Sequence, residues 1–391
     1  MPPTPFLRFF ATCARGTEGA LRRELVALRV HAPRGENGGV SFEVPFEVGM
    51  RVCLHARVAV RVLLELGAFE AGDAASLYAG ARAIDWNSWL GPRSTLAVSA
   101  SVRDSETLTH SGYAALKVKD AVVDAIRDKV GSRPNVSPKD PDVAIFLHLA
   151  GPRATLYLDL AGEPLHRRGY RVAMTEAPLK ETLAAAVLAL GDVPVDAPFV
   201  DPMAGSGTLA IEQALRARRI PPGLNRNFGF ERWPGHDAAR RATWSRLREE
   251  ARAAILPQAP ASIIVRDRFR PPIDAALANA KAAGVDRDIT FELGDARAVT
   301  PGDGPSGAMV TNPPYGERMG TTDGEDPKVA RLKLEGLYRG LSDSFRRFHG
   351  WRLVLLCGNP ELARALPLRP VVSHRLFNGP LEVRLLRYDI R

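Results

Sequence analysis

The second half of this 391-residue sequence predicts an α/β fold with a doubly wound, mostly parallel sheet, and the first half predicts an α+β region. From residue 199 onward, short apolar strands alternate with glycine or polar turns and helical segments, the pattern that lays parallel strands between helices. Before about Leu160, period-two strands stand beside helical stretches without that regular alternation.

The elements follow in chain order. Thr95 to Val102 alternates like a strand, and Tyr113 to Ile126 carries its apolar residues at helical spacing. Phe199-Val200, Ser262 to Val265, Ile289 to Leu293, Ala308 to Thr311 and Leu353 to Cys357 supply five apolar strands, each followed by polar residues or glycine. Near the end, Asn378-Gly379 separates two alternating segments, a strong hairpin signal. The sheet is therefore expected to finish antiparallel. Pro221 to Pro260, which holds Trp233 and Trp244, reads as a helical insertion between the first and second strands, with no role evident from the sequence. No internal repeat or low-complexity tract interrupts the pattern.

Lys plus Arg outnumber Asp plus Glu by 53 to 44, a net charge of +9, which favours a polyanionic partner. Lys117, Lys119, Arg167, Arg168 and Arg171 are the candidate phosphate contacts, with a solvated basic face as the alternative reading of each. Three widely spaced cysteines, Cys13, Cys53 and Cys357, provide neither a disulfide framework nor a four-thiolate zinc site, so no metal is expected. No apolar run is long enough to span a membrane, and the N-terminus lacks a signal-peptide pattern. A cytoplasmic protein is expected.

Two motifs carry chemistry. In Phe199-Val-Asp-Pro-Met-Ala-Gly-Ser-Gly-Thr208, a buried strand meets a glycine turn and a helix. Gly205 and Gly207 let the backbone approach a ligand closely, while Asp201 can accept hydrogen bonds from an ammonium group and would repel a phosphate. Gly205 to Ala210 also fits the dinucleotide pattern G-x-G-x-x-A. That pattern expects its ribose-binding acid about 20 residues on, whereas here the next strand ends at Asp267 after the long insertion. Asp267 can bind ribose hydroxyls and Asp295 can accept from an adenine amino group, or either can cap the helix that follows it.

The second motif, Asn312-Pro313-Pro314-Tyr315, directly follows the fourth strand, at the sheet edge where such folds bind ligands. The Asn312 amide oxygen and the Pro313 carbonyl can accept the hydrogens of an aromatic amine, whose delocalised lone pair must be oriented before it can attack a methyl donor. The prolines hold those acceptors rigidly, and the Tyr315 ring offers a stacking surface for an extruded base. Asn-Pro is also a common turn former.

Together these residues resemble the Rossmann-like, S-adenosylmethionine-dependent amino-methyltransferases, whose pattern is Asp-Pro-x-Cys-Gly-Ser-Gly-Thr followed by Asn-Pro-Pro-Tyr. The resemblance implies S-adenosylmethionine binding by Asp201, Met203, Gly205, Gly207, Thr208, Asp267, Asp295, Ala296 and Asn312. It places Asn312, Pro313, Pro314 and Tyr315 in the catalytic turn. Ala204 stands where the family has Cys, and Phe269 where it has a second acid.

In the first half, Phe9 to Glu18, Ala115 to Ala121 and Glu163 to Arg171 are similar to the ferredoxin-like segment and THUMP domain of bacterial 23S rRNA guanine-N2 methyltransferases. Glu176 to Ala185 is similar to the segment that closes over the cofactor there. The expected division is 1–50 ferredoxin-like, 51–162 THUMP and 163–391 methyltransferase. The resemblance implies methylation of guanine N2 in 23S rRNA or a ribosome assembly intermediate. A tRNA guanine-N2 enzyme, a protein-glutamine methyltransferase and a non-enzymatic RNA-binding assembly protein are the alternatives. Oligomeric state does not follow from the sequence.

Overall fold

The computed structural model describes residues 5–91, 93–174, 178–302, 304–314, 327–364, 366 and 368–391. The first 160 residues build one sheet from β1 (Leu7–Thr12), β2 (Arg34–Glu36), β3 (Gly39–Val44), β4 (Arg61–Glu70), β5 (Thr95–Arg103), β6 (Asn135–Val136), β7 (Val143–Ala150) and β8 (Arg153–Asp159). Their order is β2-β3-β1-β4-β8-β7-β5-β6. Helices α1 (Glu18–Ala27), α2 (Phe46–His55), α3 (Ala74–Arg82) and α4 (Ser111–Val130) accompany it. The ferredoxin-like and THUMP segments thus share a continuous sheet, because β4 pairs with β1 on one side and β8 on the other. Residue 50, the expected limit between them, lies inside α2.

The second half forms the Rossmann-like sheet β11-β10-β9-β12-β13-β15-β14. Its strands are β9 (Phe199–Asp201), β10 (Ile263–Asp267), β11 (Ile289–Leu293), β12 (Ala308–Thr311), β13 (Arg352–Cys357), β14 (Val372–Asn378) and β15 (Leu381–Asp389). Helices α5 (Glu181–Leu190), α6 (Thr208–Ala217), α7 (Ala238–Ala253), α8 (Arg270–Ala283), α9 (Pro327–Phe345) and α10 (Pro360–Arg364) complete it. The first five strands are parallel and β15 closes antiparallel on β13. From β9 the chain builds outward to β10 and β11, then returns to β12 on the other side. This reversal opens a cleft at the carboxyl ends of β9 and β12.

The final hairpin forms with a shifted turn. Asn378 pairs with Leu381, leaving Gly379-Pro380 as the two-residue loop, with Gly379 at φ 64°. Glycine supplies the positive φ at the first loop position, and proline suits the negative φ of the second.

The 221–260 insertion acts as an aromatic bolt between the halves. Trp233, 3% exposed, packs against Phe46 of α2 and edge-on to Trp89, at centroid distances of 6.1 and 5.8 Å. Phe230 lies edge-on to Phe46 at 6.1 Å and to Trp244 of α7 at 5.1 Å. Such pairs add about 0.5–1.5 kcal/mol each beyond the area they bury. Gly223 sits so close to α2 that a Cβ there would lie 2.9 Å from the Cys53 and Leu54 carbonyl oxygens. Cys53 and Cys357 are buried thiols and Cys13 a partly buried one, all free. Among the described residues no helix is long and apolar enough to cross a membrane.

Candidate active site

Strand β9 is wholly buried and delivers Asp201, 1% exposed, to the cleft. The turn then reverses through Gly205 at φ 52° and Gly207 at φ 80°, a left-handed region that costs a non-glycine residue about 1–2 kcal/mol. Gly207 has a second constraint: a Cβ there would lie 2.9 Å from the Ala276 Cβ on α8. It therefore serves helix packing and does not line the cleft. Asp201 Oδ1 accepts the Met203 N–H at 3.2 Å. Burial, above all, pushes its carboxyl up to about 7, with the nearby Asp267 adding to the rise against the Met203 hydrogen bond.

A cavity of about 950 Å³ occupies the cleft. Its walls include Asp201, Met203, Gly205 and Thr208 from the first turn, Asp267 after β10, Asp295 and Ala296 after β11, and Asn312 and Pro314 after β12. The residues expected to bind the cofactor thus converge, apart from Gly207, and of the expected catalytic turn Asn312 and Pro314 line the cavity whereas Pro313 does not. Pro178 and Leu179 line it too, as do Leu334 and Leu337 of α9. Tyr315, Glu176 and Ala177 lie outside the described residues.

The two downstream acids also serve the backbone. Asp267 accepts the Gly205 N–H at 3.1 Å through Oδ2 and the Phe269 N–H at 3.1 Å through Oδ1, which clamps the glycine turn. Asp295 caps the turn after β11 by accepting the Arg297 N–H at 2.8 Å. Hydrogen bonds from the Arg297 side chain hold its carboxyl down at about 2. Each carboxylate retains free lone pairs for a ligand.

Asn312 differs from every other polar group of the cavity wall. Its Oδ1 is buried, and among the described residues nothing donates to it. Leaving such an acceptor unsatisfied costs about 1–3 kcal/mol, and on the wall of a cavity a ligand's donor can remove that cost. The Pro314 carbonyl accepts from the Tyr338 hydroxyl of α9 at 3.4 Å, which ties the turn to the helix beside it.

Two expected phosphate contacts are corrected. The Arg168 side chain is 3% exposed and pairs with Glu212 of α6 at 3.3 Å, while donating to the Arg57 and Leu165 carbonyls. Arg171 pairs with Glu181 at 2.9 Å and donates to Ser206 Oγ, Thr208 Oγ1 and the Leu179 carbonyl. Both guanidiniums are consumed inside the protein, one at the junction of the halves and one behind the glycine turn. Lys117 lies over the Tyr113 ring, Lys119 pairs with Asp120, and exposed Arg167 pairs with Glu163.

The sequence did not reveal Asn279. Fully buried on α8, it accepts the Val172 and Ala173 N–H groups, each at 2.9 Å, and donates to the Ser206 carbonyl at 3.1 Å. It fastens the segment before α5 to the glycine turn; an asparagine among alanines offered no warning of this. Among the described residues no group of three or more His, Cys, Asp or Glu is placed to hold a metal ion.

Against known proteins, the RMKL-like methyltransferase domain matches residues 168–387, the THUMP domain 71–159 and the RlmL ferredoxin-like domain 8–63. A ribosomal RNA large subunit methyltransferase K/L from Syntrophotalea carbinolica is 43% identical over 98% of this chain and 54% of its own length. The chain spans about half the length of the curated relatives it matches. A solved methyltransferase candidate complexed with SAH is 28% identical, with a TM-score of 0.88 and 99% of both chains covered. A predicted N6-adenine-specific DNA methylase from Listeria monocytogenes is 29% identical, with a TM-score of 0.84, covering 98% of this chain and 96% of its own. With more than half of its residues matched on the fold and motifs described above, the chain belongs to the RMKL-like methyltransferase domain family.

Proposed function

We propose that this chain transfers a methyl group from S-adenosylmethionine to the exocyclic N2 of a guanine in 23S rRNA or a ribosome assembly intermediate. The observation that carries this reading is the buried, unpartnered Asn312 Oδ1 on the wall of the cavity that also gathers Asp201, Asp267 and Asp295. The donor set suits S-adenosylmethionine: Asp201 offers a carboxylate to an ammonium group, and Asp267 and Asp295 offer acceptors to ribose hydroxyls and an adenine amine. When bound, that group supplies a methyl on a positively charged sulfur.

The chain's own residues supply orientation. Asn312 Oδ1 and the Pro313 carbonyl accept the two hydrogens of the amine, fixing its nitrogen toward the cavity. A base inside a helix hides that nitrogen, so it must be extruded and stacked, a task we assign to Tyr315. The proton leaves the amine after attack, so no strong base is needed at the turn. The division of labour follows: RNA grasp by the N-terminal sheet, chemistry by residues 163–391. We place the limit between ferredoxin-like and THUMP units near β4, not at residue 50, in keeping with the matched ranges. Such a substrate implies a cytoplasmic location.

The test is to incubate the full chain with labelled S-adenosylmethionine and separate rRNA and tRNA pools, then analyse the nucleosides. Label in N2-methylguanine of 23S rRNA is expected. Label in tRNA, or as the N6-methyladenine suggested by the Listeria relative's name, overturns the substrate or the base; no label in any RNA overturns the activity.

A further inference from the structure

We infer that the β1–α1 loop and the C-terminal hairpin together form a second RNA contact beside the catalytic turn, built from Arg15, Arg375, Arg384 and Phe377. The inference rests on the RNA methyltransferase reading and adds to it where the substrate is held.

Strand register locates the site. Thr311 of β12 stands opposite Leu355 of β13, Leu355 opposite Leu386 of β15, and Leu386 opposite Ser373 of β14. Strand β14 runs parallel to β12, so Arg375 and Phe377 lie past the level of Thr311, on the edge where Asn312 emerges. Three strand spacings separate them from the catalytic turn, roughly 14 Å, a span that one bound RNA segment can bridge.

The chemistry there is cationic and aromatic. The Arg15 guanidinium lies 4.5 Å from the Phe377 ring centroid and the Arg375 guanidinium 5.4 Å. Arg375 and Arg384 are directly paired across β14 and β15, so both project from the same face. Like charges in that relation destabilise a sheet. Glu382 pairs with Arg375, but among the described residues no acid pairs with Arg384 or Arg15. All three arginines are exposed. A polyanion relieves this repulsion, and exposed guanidiniums held over an aromatic ring present flat cationic surfaces to phosphates and unpaired bases.

The site is joined from two distant parts of the chain by backbone contact. Gly16, at φ 88°, lies so near β14 that a Cβ there would meet the Arg375 carbonyl oxygen at 2.1 Å. The loop that carries Arg15 is thus seated on the hairpin, and the three arginines are held as one surface.

The experiment measures binding of the full chain to an unmodified 23S rRNA transcript between 50 and 200 mM KCl, with SAH affinity and thermal melting alongside. Arg15→Gln/Arg375→Gln/Arg384→Gln is expected to weaken RNA binding at least tenfold and flatten the log Kd against log salt slope by about 2–3, with SAH affinity unchanged. Glu382→Gln removes the carboxylate paired with Arg375 and is expected to tighten RNA binding two- to fivefold, a gain that misfolding cannot produce. A triple variant that binds RNA with the original affinity and slope, or a Glu382→Gln variant without tighter binding, reduces the surface to a clasp between the halves and overturns the inference. If the unaltered chain itself shows no salt-dependent RNA binding, the underlying RNA methyltransferase reading fails instead.

Discussion

The ligand edge of the methyltransferase sheet and the junction between the two halves differ in how far the fold itself supplies partners for their buried polar groups. At the junction, Glu24 accepts the Arg57 and Val58 N–H groups, Arg57 donates to the Ile220 carbonyl at 2.7 Å, and Arg168 and the Tyr170 hydroxyl converge on Glu212. These side chains find partners inside the protein and fix one half against the other, although Arg57 Nη1 is itself buried without an acceptor among the described residues. At the ligand edge, Asn312 Oδ1 is buried without a donor and the Asp201 carboxyl is pushed toward neutrality by burial. The lesson is that a charged side chain's role follows from whether the fold has already answered it.

The largest expected effect breaks the junction. Arg168→Ala leaves Glu212 buried without its cation and should destabilise the fold by about 3–5 kcal/mol, read as a fall in the urea midpoint. A stable variant with weakened RNA binding would restore Arg168 as a phosphate contact. Next, Asn312→Ala should lower methyl transfer by about 10²–10³-fold, by analogy with losing one preorganised polar contact, while SAH and RNA affinities hold. Undiminished turnover would remove Asn312 from the catalytic turn.

A smaller effect concerns pH. Asp201 is neutral in the free protein below about 7, and an ammonium partner needs it ionised. Affinity for SAH should therefore fall by up to about tenfold per unit as pH drops from 7 toward 5.5 and level off above 7; Asp201→Asn should bind weakly with a flat profile. A sloping profile in the Asn variant would assign the titration elsewhere. The smallest effect belongs to Arg167, exposed and, among the described residues, paired with Glu163 alone. Arg167→Ala should shift stability by less than about 0.5 kcal/mol and the salt slope of RNA binding by about 0.9. An unchanged slope would make it a solvated side chain.

The sequence made the ligand edge legible because glycine and proline punctuate it: Gly205, Gly207 and the Pro313-Pro314 pair mark where strands end and what the backbone must do. The five parallel strands were equally visible, since each is a short apolar run ending in a polar group. The junction was opaque. Arg168 and Arg171 read as surface cations because charge in a sequence does not say which acid lies opposite it; Glu212 and Glu181 meet them only in three dimensions. Trp233 and Trp244 advertised an insertion but not its purpose, because the contact of Trp233 with Phe46 on α2 and the edge-on contact of Trp244 with Phe230 are assembled by the tertiary fold. Asn378-Gly379 announced the hairpin, yet Pro380 moved the turn one residue along, since a proline cannot serve in the paired strand as a donor.

The seat of Gly16 on Arg375 has a consequence for the order in which the protein is made. The β1–α1 loop leaves the ribosome roughly 360 residues ahead of the strand that covers it. At about 5–20 residues per second, roughly 20–70 s of synthesis separate the two, and the aromatic cover from the insertion arrives only partway through that interval. The N-terminal sheet must wait with its docking face open, so rapid protection of the nascent chain, or slow collapse of that face, becomes part of what lets this protein reach its folded state.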